Sequence, residues 1–280
     1  MITGKTSIVG LIGHPVEHSM SPAMHNAAFE YMGLDYVYVP FNVSPDNLED
    51  AITGARSMGI KGLNVTIPHK IHVMDYLDEI DQTAGLIGAV NTIHFHKNGI
   101  KGYNTDGVGA VRALEEVTPV KDKKVVMIGA GGAARAVAFQ LILSGIKDLT
   151  LINRTIDKAK LLKNEIETRI ESNVSYGGFD ILKEEVERAD ILIDTTPVGM
   201  YPHIDDKPVV SADLMHSKLV VNDLVYNPLQ TNLLKEANKA GAVGISGLKM
   251  LIYQGVESFK IWTSQEPPFN IMEKGLNGLL

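Results

Sequence analysis

Apolar residues recur along this chain in two alternating rhythms, short continuous runs and longer stretches with helical spacing. Residues 7–12 (Ser-Ile-Val-Gly-Leu-Ile) form a run short enough for a buried strand. Ser21-Pro22 then offers an N-cap with proline at the first helical position, Met24, Ala27, Ala28 and Tyr31 follow at helical spacing, and Gly33 closes the turn. A β-rich run over 35–43 and a helix opened by Ser44-Pro45, carrying Leu48, Ile52, Ala55 and Met58, repeat the alternation. The pattern predicts a strand over 63–67, a helix over 71–77, and a hairpin whose arms, 90–95 and 100–103, flank Asn98-Gly99. Beyond it lie strands over 124–128, 148–153, 189–195 and 218–224. They alternate with helices over 133–144, 157–170 and 232–240, and a last helix spans 246–262. Strands alternating with helices predict an α/β fold with mostly parallel sheets.

At 280 residues the chain is long enough for two domains. With 45% hydrophobic and 21% charged residues it is neither disordered nor fibrous. The formal net charge of −7 lacks the basic excess of a general nucleic-acid binder. The absence of cysteine removes disulfides, thiol nucleophiles and cysteine-ligated metals. The start of the chain lacks a signal-peptide pattern, and no apolar run reaches membrane-spanning length. A cytoplasmic protein with no membrane or nucleic-acid partner is expected.

The clearest motif follows the strand at 124–128. Gly129-Ala130-Gly131-Gly132-Ala133-Ala134 fits G-x-G-x-x-A between a strand and a helix, the fingerprint of a dinucleotide pyrophosphate site. Gly129 permits the tight turn, Gly131 lets the backbone approach the phosphates, and Ala134 lets the helix pack on the sheet. The phosphates would meet the free N–H groups at the helix start. An enzyme that uses NAD carries an acidic residue at the end of the next strand, to hold the ribose hydroxyls. That strand ends here in Asn153-Arg154-Thr155. Arg154 can pair with a 2′-phosphate, Thr155 adds a hydroxyl and Lys158 a second charge, so NADP is the expected cofactor. Asp157 is the one nearby residue that opposes this reading.

The residues before the cofactor region should form a substrate domain. Four polar clusters lie there at strand ends or turns: 18–21 (His-Ser-Met-Ser), 64–70 (Asn-Val-Thr-Ile-Pro-His-Lys), 88–92 (Gly-Ala-Val-Asn-Thr) and 103–107 (Tyr-Asn-Thr-Asp-Gly). Hydroxyls, amides, one lysine and one aspartate suit a small polyhydroxylated carboxylate. His94-x-His96 would place two rings on one strand face, but no third ligand is evident, and no metal is expected.

These clusters, with Gly129–Arg135, Asn153-Arg154-Thr155 and Met250-Leu251-Ile252-Tyr253-Gln254, resemble the shikimate dehydrogenase family from about Ile8 to Trp262. The resemblance implies an N-terminal α/β substrate domain and a Rossmann-like NADP-binding domain with a cleft between them. It places them at residues 1–106 plus 247–280 and at 107–246. It implies NADP-dependent interconversion of 3-dehydroshikimate and shikimate in aromatic amino-acid biosynthesis, by a monomer or homodimer. By matching motif, Ser19 and Ser21 would bind the substrate carboxylate with Tyr226 nearby. Thr66, Asn91, Asp106 and Gln254 would hold the ring hydroxyls, supported by Asn64. Lys70 and Asp106 would be the catalytic pair. The cofactor would lie against Gly129, Ala130, Gly131, Gly132, Ala133, Asn153, Arg154, Thr155, Lys158, Thr195 and Met250. The chain departs from the family pattern at Lys249, where glycine is usual, and at Asp194, where asparagine is usual. The chemistry fits independently: oxidation of a carbinol releases a hydroxyl proton, and Lys70 can shuttle it and stabilise a developing alkoxide while Asp106 orients the hydroxyl. Either member of that pair can be the one that carries the proton. Two other readings are an NAD-dependent quinate/shikimate dehydrogenase, which Arg154 opposes, and a non-catalytic NADP-binding module, which should have lost Lys70 or Asp106.

Overall fold

The computed structural model describes residues 2–279, which form two compact units: residues up to 105 with 252–279, and residues 106–251.

In the first unit β1 (Ser7–Gly13), α1 (Ser21–Tyr31), β2 (Tyr36–Asn42), α2 (Leu48–Ser57) and β3 (Gly62–Val65) alternate as the pattern predicts. They are followed by β4 (Glu79–Ile80), α3 (Gln82–Ile87), β5 (Thr92–His96) and β6 (Gly99–Tyr103). The sheet order is β2-β1-β3-β5-β6-β4. Three of its five pairings are parallel, as expected, and β5 runs antiparallel to both β3 and β6. The Asn98-Gly99 hairpin imposes that reversal, since a tight turn can join only antiparallel strands.

Three local expectations are corrected. Ser21 is the first residue of α1 rather than its cap; Met20 occupies the cap position, with Pro22 in the first turn. Ser44 precedes a short 3₁₀ turn, Pro45–Asn47, and α2 begins only at Leu48. The stretch predicted as a helix over 71–77 is a 3₁₀ helix, His72–Tyr76. A segment this short lacks the bonds to offset α-helix nucleation.

The second unit contains α4 (Asp106–Glu115), β7 (Lys124–Ile128), α5 (Gly132–Leu143), β8 (Asp148–Ile152), α6 (Ile156–Glu167), β9 (Val174–Gly177), α7 (Leu182–Arg188) and β10 (Ile191–Asp194). After these come β11 (Val220–Asp223), α8 (Asn232–Lys239), β12 (Val243–Ser246) and α9 (Gly247–Thr263). Every pairing in this sheet is parallel, in the order β12-β11-β10-β7-β8-β9. This is the doubly wound order of dinucleotide-binding folds, with the chain reversing its direction of travel at β7. The four central strands, β7, β8, β10 and β11, are buried on both faces, which explains their continuous apolar runs. The final helix predicted from residue 246 starts one residue later, because Ser246 closes β12. Helix α9 then runs out of this unit into the first, where α10 (Phe269–Lys274) packs against α1.

The first unit has a core on each side of its sheet. On one side α2 packs Leu48, Ile52 and Ala55 against Ile12, Leu63, Val65 and Ile93. On the other, the Trp262 indole of α9 lies against Gly62, where any side chain would collide with it, and its Nε1–H donates to the Ile93 carbonyl at 2.9 Å. The same side holds His25, fully buried and stacked on Tyr38 with ring centroids 4.5 Å apart. Neither ring nitrogen of His25 has a hydrogen-bond partner, and burial pushes its pKa down to about 3.

The folded state therefore keeps His25 neutral while the unfolded chain takes up a proton below its ordinary value, so this residue costs stability as pH falls below about 6.5. Replacing His25 with Phe should remove that cost. In urea denaturation the stability of His25→Phe relative to the parent should rise by about 2 kcal/mol between pH 7 and pH 5, whatever its offset at pH 7.

Candidate active site

The sequence-predicted site residues divide between the units. Ser19, Ser21, Asn64, Thr66, Lys70, Asn91 and Gln254 belong to the first; Asp106, Tyr226 and all the cofactor residues belong to the second.

In the first unit the polar residues gather where β1, β3 and β6 end. Ser19 lies in the loop after β1, and its hydroxyl accepts the Ser21 N–H at 3.3 Å. Thr66 follows β3 directly, with its N–H donating to the Ile12 carbonyl of β1 at 2.9 Å. Lys70, half-buried, ends that loop, and its carbonyl accepts the Val90 N–H at 2.8 Å, which lays residues 66–70 beside 88–91.

Beneath these loops runs a buried chain of hydrogen bonds. The Tyr38 hydroxyl donates to Asn64 Oδ1 at 2.8 Å and is also bonded to the Ser21 side chain. Asn64 Nδ2 donates to Thr92 Oγ1 at 3.1 Å and to Ser258 Oγ at 2.9 Å. Asn91 Oδ1 accepts the Thr105 N–H at 2.7 Å, and its Nδ2 donates to Thr105 Oγ1 at 3.0 Å. The Ser258 hydroxyl is bonded to the Gln254 carbonyl at 3.0 Å, one turn earlier in α9. Ser21, Asn64, Asn91 and Gln254 thus share one network, with Asn64 at its centre and directed inward. Tyr38 and Ser258 are members that the sequence reading missed. Both stand in ordinary strand and helix patterns, and only the fold brings them to Asn64. Burial holds the Tyr38 phenol protonated far above its usual range, so it is a fixed donor.

In the second unit the cofactor residues collect at the carboxyl ends of β7, β8 and β10, where the strand order reverses. Gly129 has φ 105° and lies so close to Thr195 that a side chain there would strike the Thr195 hydroxyl. That hydroxyl donates to the Ile128 carbonyl at 2.7 Å, so Thr195 shapes the loop from beneath. Gly131 and Gly132 are different: both are exposed, and a side chain at either would meet nothing within 4 Å. Gly131 has the extended backbone that any residue adopts. Neither packing nor conformation requires glycine there, whereas a bound phosphate approaching the α5 N-terminus does. Ala130 and Ala133 flank these glycines, and Ala134 is fully buried under the helix.

After β8, Asn153 Nδ2 donates to the Thr155 carbonyl at 2.8 Å, folding the loop that presents Arg154, Thr155 and, in α6, Lys158, all exposed. Asp157 is exposed in the first turn of α6, where a carboxylate complements the helix dipole. The residues present fit a 2′-phosphorylated dinucleotide. Tyr226 is half-buried in the loop after β11, and burial raises its pKa, which keeps it a hydroxyl donor. Met250 is half-buried in the first turn of α9. Beside it, Lys249 is ion-paired with Glu116.

Asp194 and Asp223 are register partners at the ends of β10 and β11, and both are buried. Asp194 Oδ1 accepts the Thr196 N–H at 2.8 Å; Asp223 accepts the Val225 N–H at 3.0 Å and the Thr231 hydroxyl at 2.5 Å. They anchor the loops that carry Thr195 and Tyr226. Burial, and then the charge of Asp223, push Asp194 up to about 7, against the pull of its bonds to Thr196. Burial also raises Asp223.

Family models match in chain order: "Shikimate dehydrogenase substrate binding domain" over residues 11–93, "Shikimate / quinate 5-dehydrogenase" over 112–224, and "Shikimate 5'-dehydrogenase C-terminal domain" over 247–274. The shikimate dehydrogenase (NADP(+)) of Methanothermobacter thermautotrophicus is 55% identical over 280 residues, covering 100% of this chain and 99% of that protein. The chain belongs to the shikimate dehydrogenase family. Among solved members of the family, a shikimate dehydrogenase in complex with NADP+ is 53% identical with a TM-score of 0.94, covering 99% of this chain and 96% of that one. The Listeria monocytogenes shikimate 5-dehydrogenase, in complex with shikimate and NAD, is 37% identical with a TM-score of 0.94, covering 98% of each chain.

Because Asp194 is held above the ordinary carboxylate value of about 4, it lowers stability as pH rises through the window from about 4 to about 7. Asp194→Asn should remove that loss. Across this window the variant should gain on the parent by as much as about 4 kcal/mol in chemical denaturation, and a constant difference would refute the buried-acid account.

Proposed function

We infer that this chain is an NADP-dependent oxidoreductase that interconverts 3-dehydroshikimate and shikimate, as a step of aromatic amino-acid biosynthesis. The observation that carries the cofactor choice is the end of β8. Exposed Arg154 and Thr155 stand there beside a glycine loop with open space over Gly131 and Gly132, and the strand carries no terminal carboxylate to hold a ribose 2′-hydroxyl. Bound NADP supplies the hydride acceptor or donor for the substrate carbon.

The rest of the chemistry falls to side chains of this chain. Ser19 and Ser21 bind the substrate carboxylate, with Tyr226 as a further hydroxyl for that group. Thr66, Asn91 and Gln254 hold the ring hydroxyls, while Asn64 fixes their positions from below. Lys70 and Asp106 are the catalytic pair. Asp106 accepts a hydrogen bond from the reacting hydroxyl and orients it. Lys70 takes up or returns the proton and stabilises negative charge on that oxygen. Asp106 opens α4 directly after Thr105, whose backbone Asn91 pins, so the substrate-holding network also sets where the carboxylate begins. The first unit is the substrate domain and the second the NADP domain. Among the described residues no helix is long and apolar enough to cross a membrane. A cytoplasmic monomer or homodimer suits this role.

Purified protein should reduce NADP+ in the presence of shikimate, and turnover confined to NAD+ with quinate would overturn the reading. Lys70→Ala should lower kcat by at least about 100-fold with little change in KM; a rise in KM alone would make Lys70 a binding group. Arg154→Ala should raise the Kd for NADP by about tenfold or more while leaving NAD nearly unchanged, and equal weakening of both would remove the 2′-phosphate assignment.

A further inference from the structure

A cavity lies in the first unit, away from the residues assigned to substrate. It has a volume of about 420 Å³ and is lined by Arg56, Gly59, Ile60, Lys61, His94, Phe95, His96 and Lys97. In the β3–β5 register His94 stands opposite Gly62, while Thr92 stands opposite Asn64. The cavity is therefore at the opposite end of these strands from the substrate-side network.

Its chemistry is one-sided. Three lining residues are cations, two are histidines, and none is an acid. The nearest carboxylate that engages a lining group is Asp78, 3.7 Å from Arg56 and already accepting the Ile100 N–H at 2.7 Å. Lys61 and Lys97 are exposed and have no ion-pair partner among the described residues. The His94 and His96 rings lie 5.7 Å apart. Among the described residues no third histidine, aspartate or glutamate joins them to hold a metal.

His96 Nδ1 accepts the Asn98 N–H at 3.3 Å, which puts the proton of the neutral ring on Nε2. That Nε2 is buried and has no partner. An acceptor that reached this nitrogen would recover the cost of leaving a buried donor unpaired. His94 reports the local field: burial, then His96 and Lys61, hold it below its ordinary value. The apolar members are Ile60, buried, and Phe95, half-buried.

We propose that this cavity binds a small oxyanion of the phosphate class, held by Arg56, Lys61 and Lys97 with the His94–His96 pair, and with Phe95 and Ile60 able to receive an organic body. Cations and neutral N–H donors together complement a tetrahedral dianion, and the concave site limits its size. The chain's overall charge of −7 makes this a local property rather than a general affinity for polyanions.

The test follows the imidazole signals of His94 and His96 by NMR in the full chain saturated with NADP+, so that the cofactor's own phosphate sites are filled. His94→Gln and His96→Gln assign the signals. Inorganic phosphate and phenyl phosphate are titrated separately, against sodium chloride at matched ionic strength. Saturable shifts in both rings with at least one phosphate, absent with chloride, are expected. Phenyl phosphate binding more tightly identifies an organic phosphate as the ligand class; equal affinity identifies the free ion. Lys61→Gln/Lys97→Gln changes two exposed side chains and should weaken binding by about tenfold or more without altering the melting temperature. Shifts that follow ionic strength alone, or an unchanged affinity in the double variant, would overturn the proposal.

Discussion

The first unit depends on a polar group that it cannot leave unsatisfied. Asn64 is buried in the sheet, and its amide must find partners or cost more than its bonds return. Those partners come from three separate segments: Tyr38 on β2, Thr92 on β5 with the Asn91 carbonyl just before it, and Ser258 on α9. Satisfying one side chain therefore fixes the register of three strands and brings a helix from the far end of the chain onto the sheet. Ser21, Asn91 and the Gln254 backbone are tied into the same bonds, so their placement follows from a requirement of the core.

The second unit solves a different problem. Its all-parallel sheet is covered on both faces, and polar groups are admitted at the strand ends, where loops can meet them. Thr195 closes beneath Gly129 and fixes the glycine loop. Asp194 and Asp223 tie down the next two loops, at the expense of holding two acids side by side out of water. His25 in the first unit carries the opposite strain, a base kept neutral by burial. Between pH 4 and 6.5 the contributions of His25 and Asp194 to stability run in opposite directions.

Much of this was legible in the residues. The glycine fingerprint after an apolar run, Arg154 after the next run and the Asn98-Gly99 hairpin are local signals, and local signals survive in sequence. Less was legible wherever long-range contact decides. The predicted helix over 71–77 became a 3₁₀ turn, and α3, α4, α7 and α10 were not among the predicted helices. The role of Tyr38 could not be seen because its partner Asn64 lies two strands away. Asp194 looked like a point beside the cofactor; its neighbour Asp223 entered only through the β10–β11 register.

The sequence by itself determined the alternation of strands and helices, the dinucleotide site and its preference for a 2′-phosphate, and the family with its reaction. The first two rest on spacing within about one βα unit, which backbone geometry fixes; the family rests on motifs spread from about Ile8 to Trp262. The tertiary structure decided which polar residues are buried and hold the frame. It made Asn64 a keystone rather than a surface amide, paired two acids that are 29 positions apart in the chain, and gathered Arg56, Lys61 and Lys97 around two histidines. Those assignments rest on burial and on contacts between distant segments, which residue order does not record until the chain has folded.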